Sequence, residues 1–438
     1  MSRYEKYKPS GIDWIGLIPQ HWEVKRLKNI VHNDIGGLWG DEPAEDENDI
    51  IVLRVADFDR ISSRILANPE YTYRNIRPSQ LEGRLLNKGD LLLEKSGGGE
   101  QQPVGKAVLF DKDFRAVTSN FINKIATIPT VDNHFALYLF DALYYNNINV
   151  RNINQTTGIQ NLNNTGFFSE KISLPPFKEQ RAIADYLDSQ TQKLDKLIAN
   201  KKAQVEKLKE LRQIEINNAV TKGLNPYVEM KATGIEWLGD IPKHWELKRI
   251  KNIAKQISEK TQELKEDDFI VALENIEGGT GKYIDTASEY ESNGIKFESG
   301  HILYNKLRPY LNKVFLSEQK GVCVGDIIVI ECGLKISPEF LQYRMLSDAF
   351  NSKVMSSVFG AKMPRTSWEF IGTLKIGLPQ LEEQIEIVKT LRERTTKMNN
   401  LIVQIENQVE KLMELRKIKI YEAVTGKIKV NEYVEATA

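Results

Sequence analysis

The residues best suited to chemistry lie in a glycine-rich segment, EKSGGGEQQPVGK, and they suit the binding of a nucleic acid. Its glycines let the backbone approach a partner closely because they carry no Cβ. Lysine can contact phosphate, and glutamine can bond an adenine edge through two hydrogen bonds. The glycines are Gly97, Gly98 and Gly99, and the polar residues around them are Lys95, Ser96, Gln101, Gln102 and Lys106. The alternative is a flexible hairpin tip with solvated side chains.

Three further segments carry side chains of the same kind. In TTGIQNLNN, the residues Thr157, Gln160 and Asn161 either face DNA or cap a turn. In NKLRPYLNK and GAKMPRTSW, cationic and amide side chains suit phosphate or guanine, and the aromatic side chains suit a sugar or base or, equally, core packing. The predicted contacts in these two segments are Lys306, Arg308, Tyr310, Asn312, Lys313, Lys362, Arg365 and Ser367, with Trp368 beside them.

Catalytic patterns are missing from the sequence. LPPF has Leu174 where an adenine methyltransferase needs Asn or Asp, and NPYV lacks the second proline, so neither suits an extruded adenine amino group. There is no GxxxxGK[ST] loop for ATP, no HExxH and no clustered His/Cys ligand set. We therefore predict no intrinsic enzymatic activity, no cofactor and no metal site in this chain.

An internal repeat indicates which elements position these segments. GIDWIGLIPQHWEVKRLKNI begins at Gly11, and GIEWLGDIPKHWELKRIKNI begins at Gly234. LPPFKEQ begins at Leu174, and LPQLEEQ begins at Leu378, 204 positions later. Between the matched blocks the two copies barely resemble each other. Matched frames around divergent interiors indicate one scaffold that carries two different recognition domains, and we assign the repeated tryptophans and histidines of the frame to packing.

Each LP block opens a long helix. No proline or glycine interrupts the chain from Pro176 to Gly223, and the second helix likewise runs to Gly426. Spacings of four and three alternate from Leu187 to Arg212 and, in the same phase, from Leu391 to Arg416, as in a coiled coil. Amphipathic helices usually pack on their own domain, but about 45 residues at ~1.5 Å each span roughly 65 Å. This length favours a pair, and pseudo-twofold docking of the segments that follow the helices makes it antiparallel.

The composition fits a folded chain with more than one core, since 41% of the 438 residues are hydrophobic. With 60 basic and 60 acidic residues, net charge does not support a nucleic-acid binder unless basic residues concentrate on one face or a basic partner contributes. Cys323 and Cys332 are too few for a disulfide framework or a four-cysteine zinc site. No apolar run reaches the roughly 18 residues of a membrane span, and no signal peptide is visible, so we expect a cytoplasmic chain.

Together, these segments resemble the specificity subunit of type I restriction-modification enzymes over essentially the whole chain. The segments that carry the resemblance are GIxWxGxIPxHWExKRxKNI, GDLLLEKSGGG with QPVGKAVLF, and NKLRPYLNKV with KMPRTSW. The resemblance implies two target-recognition domains that each read half of a split double-stranded DNA site, with the helices as a ruler between them. It also implies two methyltransferase subunits on the helices and restriction/translocase subunits beyond them, with S-adenosylmethionine, ATP and Mg²⁺ used by those partners.

The predicted fold class is α+β, with two mixed α/β target-recognition domains separated by two long antiparallel coiled-coil helices in a pseudo-twofold internal repeat. The predicted boundaries are residues 1–175 for the first recognition domain, 176–222 for the first helix, 223–379 for a linker and the second domain, 380–426 for the second helix, and 427–438 for a tail packing on the first domain. A coiled-coil adaptor would explain the helices but not the duplicated entry block. A restriction enzyme with fused catalysis would need the motifs that are missing.

Overall fold

The computed structural model describes residues 2–67, 70–156, 158–261, 268–286, 293–358 and 363–430. The chain divides into two compact units. Unit 1 comprises Met1–Lys202 together with Glu406–Ala438, and unit 2 comprises Ala203–Ile405. In the described part of the chain, no helix combines the length and the apolar character that a bilayer crossing needs.

Unit 1 is a mixed α/β fold of short strands. The strands are β1 (Tyr7–Pro9), β2 (Leu17–Pro19), β3 (Glu23–Arg26), β4 (Val31–Gly36), β5 (Asp49–Leu53), β6 (Phe58–Asp59), β7 (Arg64–Ile65), β8 (Thr72–Asn75), β9 (Leu91–Glu94), β10 (Ala107–Leu109), β11 (Ala116–Thr118), β12 (Ile122–Thr127), β13 (Ile153–Thr156), β14 (Ile159–Leu162) and β15 (Lys171–Leu174). The main sheet has the order β4-β12-β9-β10-β7-β6, and a second sheet has the order β11-β5-β8. Helices α1 (Asn133–Tyr145) and α2 (Asn164–Phe167) complete the domain.

Helix α1 forms because Asp132 caps it, accepting a hydrogen bond from the Phe135 amide, and because its sequence is apolar almost all round. Its residues from Phe135 to Leu143 are buried in the main core of unit 1.

Among the described residues, unit 2 repeats this architecture with fewer strands. They are β16 (Met230–Ala232), β17 (Asp240–Pro242), β18 (Glu246–Arg249), β19 (Ala254–Ile257), β20 (Lys260–Thr261), β21 (Ile270–Val271), β22 (Gly294–Phe297), β23 (Ile302–Asn305), β24 (Val314–Leu316), β25 (Gly321–Cys323), β26 (Ile327–Cys332) and β27 (Lys375–Leu378). The sheet β19-β26-β23-β24 matches β4-β12-β9-β10, and a second sheet has the order β20-β22-β25-β21. The domain helices are α4 (Pro338–Leu346), α5 (Asp348–Met355) and α6 (Trp368–Thr373).

The repeated sequence frame forms the same structure twice. Strand β3 pairs antiparallel with β15, and β18 pairs antiparallel with β27. Trp22 is fully buried and donates from Nε1 to Glu179 Oε2 at 3.0 Å, while Trp245 donates to Glu383 Oε1 at 3.1 Å. The packing role predicted for these tryptophans fits this geometry. His21 bonds the same glutamate as Trp22 and lies half exposed, so it is less a packing residue than we expected.

The glutamine of each LP block ties the first turn of a long helix to its recognition domain. Gln180 is 1% exposed, accepts a hydrogen bond from the Asp132 amide at 2.9 Å and donates to two backbone carbonyls. Gln384 is fully buried and accepts from the Ser337 amide at 2.8 Å, again donating to two carbonyls. Each LP block therefore contains a Glu-Gln pair with the same two contacts in both units: the glutamate accepts from the buried tryptophan, and the glutamine bonds the backbone of the recognition domain.

The long helices are α3 (Phe177–Lys222, 46 residues) and α7 (Leu381–Val424, 44 residues). Gly223 and Gly426 follow them with φ of +76° and +71°, the left-handed ending that glycine adopts without strain. In unit 1, residue numbers increase along α3 while those of their partners on α7 decrease. The bonded pairs are Tyr186–Lys419, Asp195–Arg416 and Lys201–Gln408. In unit 2, the pairs Arg212–Asn399 and Glu215–Arg394 follow the same rule.

The two helices are therefore antiparallel, and most predicted seam positions are buried or half-buried. The predicted α+β class is confirmed, with two mixed α/β domains, two long antiparallel helices and an internal repeat.

The residues after α7 pack on the start of the chain. Lys427 donates from Nζ to the carbonyls of Ile15 and Leu17 at 2.6 and 2.7 Å, and the Lys429 amide donates to the Ser2 carbonyl at 2.9 Å. All of these residues belong to unit 1. Residues 431–438 of the predicted tail lie outside the described residues.

Candidate nucleic-acid interface

Unit 1 brings two of the predicted segments together at one surface. The glycine-rich segment leaves the end of β9 and runs beside the β13–β14 hairpin, where Ser96 and Asn161 form an isolated antiparallel bridge. The Gly97 amide donates to the Gln160 carbonyl at 3.0 Å, and the Leu162 amide donates to the Lys95 carbonyl at 2.8 Å. We call residues 95–102, Phe121 and 158–161 surface 1.

Unit 2 brings the other two segments together in the same way. Leu307 and Arg365 form an isolated antiparallel bridge. The Arg308 amide donates to the Pro364 carbonyl at 2.8 Å, and the Thr366 amide donates to the Lys306 carbonyl at 3.0 Å. We call residues 306–313, Asp326 and 363–367 surface 2.

The two surfaces share one backbone frame although their sequences do not align. A further bond completes the match, because the Lys95 amide donates to the Phe121 carbonyl and the Lys306 amide to the Asp326 carbonyl, both at 2.9 Å. The frame pairs Lys95 with Lys306, Ser96 with Leu307, Gly97 with Arg308, Phe121 with Asp326, Gln160 with Pro364, and Asn161 with Arg365. Only one of these six positions keeps its residue type. Equal backbones with different side chains are what two readers of different sequences require.

One frame position is conformationally demanding. Gly97 has φ of +106°, and its counterpart Arg308 has φ of +50°. Glycine tolerates positive φ, whereas a side chain there costs about 1–2 kcal/mol. Arg308 is exposed, so neither core packing nor burial accounts for keeping an arginine at this position.

Two residues of unit 1 that we predicted to contact DNA, Lys106 and Gln160, have buried side chains, so this part of the prediction is wrong. Lys106 is 1% exposed, contacts the carboxylate of Asp141 and donates to Ser63 Oγ at 2.8 Å. Burial alone would lower the pKa of Lys106, but the Asp141 carboxylate outweighs it and raises that pKa. Gln160 is 6% exposed and accepts from the Val104 amide. Both side chains hold the loop from inside the domain, and we withdraw them as DNA contacts.

The exposed part of surface 1 consists mainly of small, amide and aromatic groups, together with the aliphatic Ile159 and the carboxylate of Glu100. Ser96 Oγ donates to Asn161 Oδ1, and Asn161 itself is exposed. Phe121 is 47% exposed, and a Cβ at Gly97 would lie 3.5 Å from its ring. Gln101 and Gln102 are exposed at the tip. Thr157 lies outside the described residues.

Surface 2 is organised around a carboxylate. Asp326 accepts from Arg365 Nη2 at 2.8 Å and lies 3.5 Å from Lys306 Nζ. The side chain of Arg365 is 57% exposed, whereas that of Asp326 is 22% exposed. Tyr310 is 51% exposed, so it is available to a partner and is not part of the core. Lys362 lies outside the described residues.

Three other predicted contacts of unit 2 make bonds within their own unit. Lys313 donates from Nζ to the Leu273 carbonyl at 2.6 Å, and Asn312 donates to the Leu346 carbonyl at 2.9 Å. Ser367 caps α6 by accepting from the Phe370 amide. These three side chains stabilise the loops of surface 2 from within unit 2. Lys106 and Gln160 do the same for the glycine-rich loop of unit 1. Trp368 is half-buried against the core of unit 2, in line with the packing alternative.

Phe121 and Asp326 were missed by reasoning from sequence. Each precedes a central strand, β12 or β26, and the surrounding letters TSNFIN and GDIIVI contain no binding motif. Their importance appears only when the backbone bonds of Lys95 and Lys306 are compared.

The described residues hold no group of three or more His, Cys, Asp or Glu side chains placed to bind a metal ion. Cys323 is buried and Cys332 half-buried, and burial raises the pKa of each thiol to about 12. Both thiols therefore remain protonated near neutral pH.

Comparison with known proteins agrees with the geometry. The family model described as the type I restriction modification DNA specificity domain matches residues 19–207 and again 242–411. The MjaVIII specificity subunit of Methanocaldococcus jannaschii is 28% identical over 67% of this chain and 70% of its own length, and the putative MjaX specificity subunit of the same organism is 25% identical over 95% and 96%.

A chain from a solved structure on complex assembly and conformational transition of the type I R-M system has the same fold, with a TM-score of 0.66 at 14% identity over 94% of this chain and 99% of that one. Two domain matches, one on each recognition unit with its helix, cover most of the sequence. The chain therefore belongs to the type I restriction-modification DNA specificity family and carries the family's domain twice.

Proposed function

We propose that this chain is the DNA sequence-recognition subunit of a type I restriction-modification complex, that it binds a bipartite, asymmetric double-stranded site, and that it performs no catalysis itself. The observation that carries the proposal is the pair of surfaces on one backbone frame, because their side chains differ at five of six matched positions. One scaffold with two different readers calls for a site with two different halves.

The exposed side chains of the two surfaces suit different DNA groups. Surface 1 offers amides, Asn161, Gln101 and Gln102, which suit adenine edges. Surface 2 offers cations, Arg308 and Arg365, which suit guanine or phosphate. Because the net charge of the chain is zero, we expect partner subunits to supply much of the phosphate attraction.

The long helices carry an exposed apolar stripe that occurs twice. Leu197 on α3 and Leu401 on α7 are 43% and 48% exposed, although leucine is a costly residue to leave in water. The other members of the stripe are Leu211 and Ile214 on α3, with Leu415 and Ile418 on α7. Each pair is separated by 204 positions, so the two stripes are equivalent. Two equal apolar surfaces fit two copies of one partner, which we propose to be the methyltransferase subunit.

Restriction/translocase subunits would join through that assembly in the cytoplasm. S-adenosylmethionine, ATP and Mg²⁺ would then be bound by the partners.

We propose that the same two helices set the distance between the two half-sites and so act as the ruler of the complex. At ~1.5 Å per residue, α3 is about 70 Å long, which corresponds to roughly two turns of B-DNA. We therefore expect the half-sites on nearly one face of the duplex, one to two turns apart. The predicted domain boundaries, 1–175 and 223–379 for the readers and 427–438 for the tail, belong to this proposal.

The experiment is to co-express the chain with the methyltransferase encoded beside it, in a host without other adenine methylation, and to map N6-methyladenine along the genome. A single asymmetric motif with a fixed gap is the expected result. Exchanging residues 95–106 for those of a homologue should then change one half-site only. A stable complex that methylates no defined motif would favour a coiled-coil adaptor, and a change in both half-sites would contradict independent readers.

A further inference from the structure

We propose that one matched position in the frame decides a base pair in each half-site. In surface 2, Arg365 held by Asp326 reads the guanine of a G·C pair. In surface 1, Asn161 reads an A·T pair, with Phe121 at the frame position that Asp326 occupies in surface 2. The inference rests on the proposed function and assigns the residues that choose the base at one position of each half.

The position of Asp326 in surface 2 indicates where the base edges lie. A carboxylate beside DNA phosphates is repelled, so an acidic group in a DNA-binding surface belongs where base edges lie. Asp326 holds Arg365 with one oxygen and lies near Lys306 with the other, so its charge is offset by two cations. The pair is also a poor candidate for stability alone, because an ion pair with a half-exposed arginine contributes about 0–1 kcal/mol.

Arg365 keeps N–H donors that the bond to Asp326 does not use. Guanidinium has five N–H donors, and the bond from Nη2 to Asp326 uses one of them. The remaining donors can form the two parallel bonds to guanine N7 and O6 in the major groove. The carboxylate restricts the guanidinium beforehand through this one bond, which lowers the conformational entropy lost on binding. With its side chain 57% exposed, Arg365 is accessible to a base.

The counterpart in surface 1 has a different chemistry on the same backbone. Asn161 accepts from Ser96 through Oδ1, which leaves a second lone pair and both Nδ2 donors for a partner. Adenine presents one acceptor and one donor in the major groove, which an asparagine amide complements. Phe121, at the position of Asp326, is 47% exposed and offers an apolar face to a thymine methyl. A charged base reader in unit 2 is thus replaced by an amide and a phenyl ring in unit 1.

The test uses the full chain with its methyltransferase and maps the methylated motif for wild type and variants. Arg365→Gln should relax one G·C pair of half-site 2, reducing discrimination there by about 10–100-fold, and should leave half-site 1 unchanged. Arg365→Lys keeps the charge but loses the double bond, so it should relax the same pair. Lys320→Gln, an exposed cation of unit 2 outside surface 2, is the matched control and should leave the motif unchanged.

A transplant makes the test reciprocal. Phe121→Asp with Asn161→Arg places the proposed guanine reader on the frame of surface 1, and one A·T pair of half-site 1 should become G·C. The matched single variant Phe121→Asp should not produce this change. If a variant abolishes methylation, selection of randomised DNA by the assembled complex decides instead, because the selected DNA still reports each base preference.

The outcomes separate the two proposals. Loss of preference at one G·C pair, with half-site 1 intact, supports the assignment. The assignment is overturned if Arg365→Lys retains the wild-type motif, if no base or several bases change in half-site 2, or if the transplant leaves half-site 1 unaltered. A wild-type complex that methylates no bipartite motif would contradict the proposed function itself.

Discussion

Arg416 of α7 donates from Nε to the carboxylate of Asp195 on α3 at 2.9 Å, inside unit 1. The matched residues of unit 2 are Arg212 and Asn399, where Arg212 donates from Nη1 to the amide oxygen Oδ1 at 2.7 Å, so an amide takes the place of the carboxylate. Arg416 is 3% exposed and lies 3.7 Å from Asp141, which also holds Lys106. A network of ion pairs thus connects the glycine-rich segment of unit 1 to the second long helix, whereas the matched contact in the described part of unit 2 is a hydrogen bond to an amide.

Arg416→Met should destabilise the chain more than Arg212→Met. The first variant leaves the half-buried Asp195 without its cation and removes one of the two cations beside the fully buried Asp141, at a cost of about 3 kcal/mol. The second removes one hydrogen bond and should cost about 1–2 kcal/mol. Denaturant unfolding of the full chain, followed by circular dichroism, measures both losses. Similar losses in the two variants would show that the charge network adds nothing to the shared contact.

Gln180→Leu and Gln384→Leu should, by contrast, give closely similar losses. Each glutamine is buried and satisfies one backbone amide and two backbone carbonyls. Leucine fills the space but leaves those groups unpaired, at a cost of about 2–4 kcal/mol in either unit. The same unfolding measurement applies. A large loss in only one variant would mean that the repeated Glu-Gln pair does not play the same role twice.

The ion pair between His134 and Asp188 should make stability depend on pH. The hydrogen bond to Asp188 raises the pKa of His134 in the folded chain, so its stabilising effect is complete below the unfolded pKa and is lost as pH rises through the folded value. Burial opposes the shift of Asp188, but bonds from His134 and Tyr138 outweigh it and lower that pKa. The carboxylate therefore stays charged through the window in which His134 titrates.

The test compares wild type with His134→Gln at pH 6 and at pH 8.5. The difference in unfolding free energy should be larger at pH 6, although under about 1 kcal/mol because both side chains are partly exposed. Glu339 and Arg392, which occupy the matched place in unit 2 at 3.6 Å, provide the control, since Glu339→Gln should show no such change between these pH values. An equal difference at both pH values for His134→Gln would count against the linkage.

Seven residues inserted into both long helices should lengthen the gap between half-sites. A whole heptad keeps the buried seam in phase, so both helices can still pair. The added ~10 Å of helix allows not more than about three further base pairs of 3.4 Å. Motif mapping measures the gap directly. Insertion in α3 alone is the control and should disrupt pairing, while an unchanged gap in the double insertion would refute the ruler.

Leu415→Arg should weaken binding of one methyltransferase subunit without unfolding the chain. The side chain is 40% exposed, so a charge there is tolerated in the free protein but is buried unpaired in the proposed interface. Size measurement of the complex should show a single bound subunit, and Leu211→Arg on the equivalent stripe should do the same. The exposed Lys202→Glu serves as the control, because Lys202 lies on the face of α3 opposite Leu211. Two bound subunits in both leucine variants would rule out this surface.

Much of the scaffold could be predicted because its information is local or repeated. The seams of α3 and α7 follow heptad spacing, and the breaker glycines Gly223 and Gly426 end them within a few residues of the predicted positions. The antiparallel pairing followed from the repeat alone. None of these inferences required knowledge of contacts between distant residues.

The surfaces were less predictable because their geometry depends on contacts across the sheet. Lys106 looked like a DNA ligand by its position in the loop, yet Asp141 lies fully buried in an apolar helix and needs a counter-charge. The aspartate inside FALYLFDALYY was the available signal. Nothing comparable marked Phe121 or Asp326, whose roles depend on a backbone bond to a lysine 26 or 20 positions earlier.

The composition of unit 1 also has a consequence for synthesis on the ribosome. Its core combines residues before 202 with Ile420, Ala423 and Val424 of α7, and the two segments also meet where the Lys429 amide bonds the Ser2 carbonyl. Translation of unit 1 therefore begins before that of unit 2 but finishes after it, and its earlier segment waits roughly 10–40 s at ~5–20 residues per second for the intervening segment. During that interval its apolar surface is open, so a nascent chain stalled within unit 2 should be a substrate for chaperones and proteases, whereas unit 2 can close as soon as α7 begins to emerge.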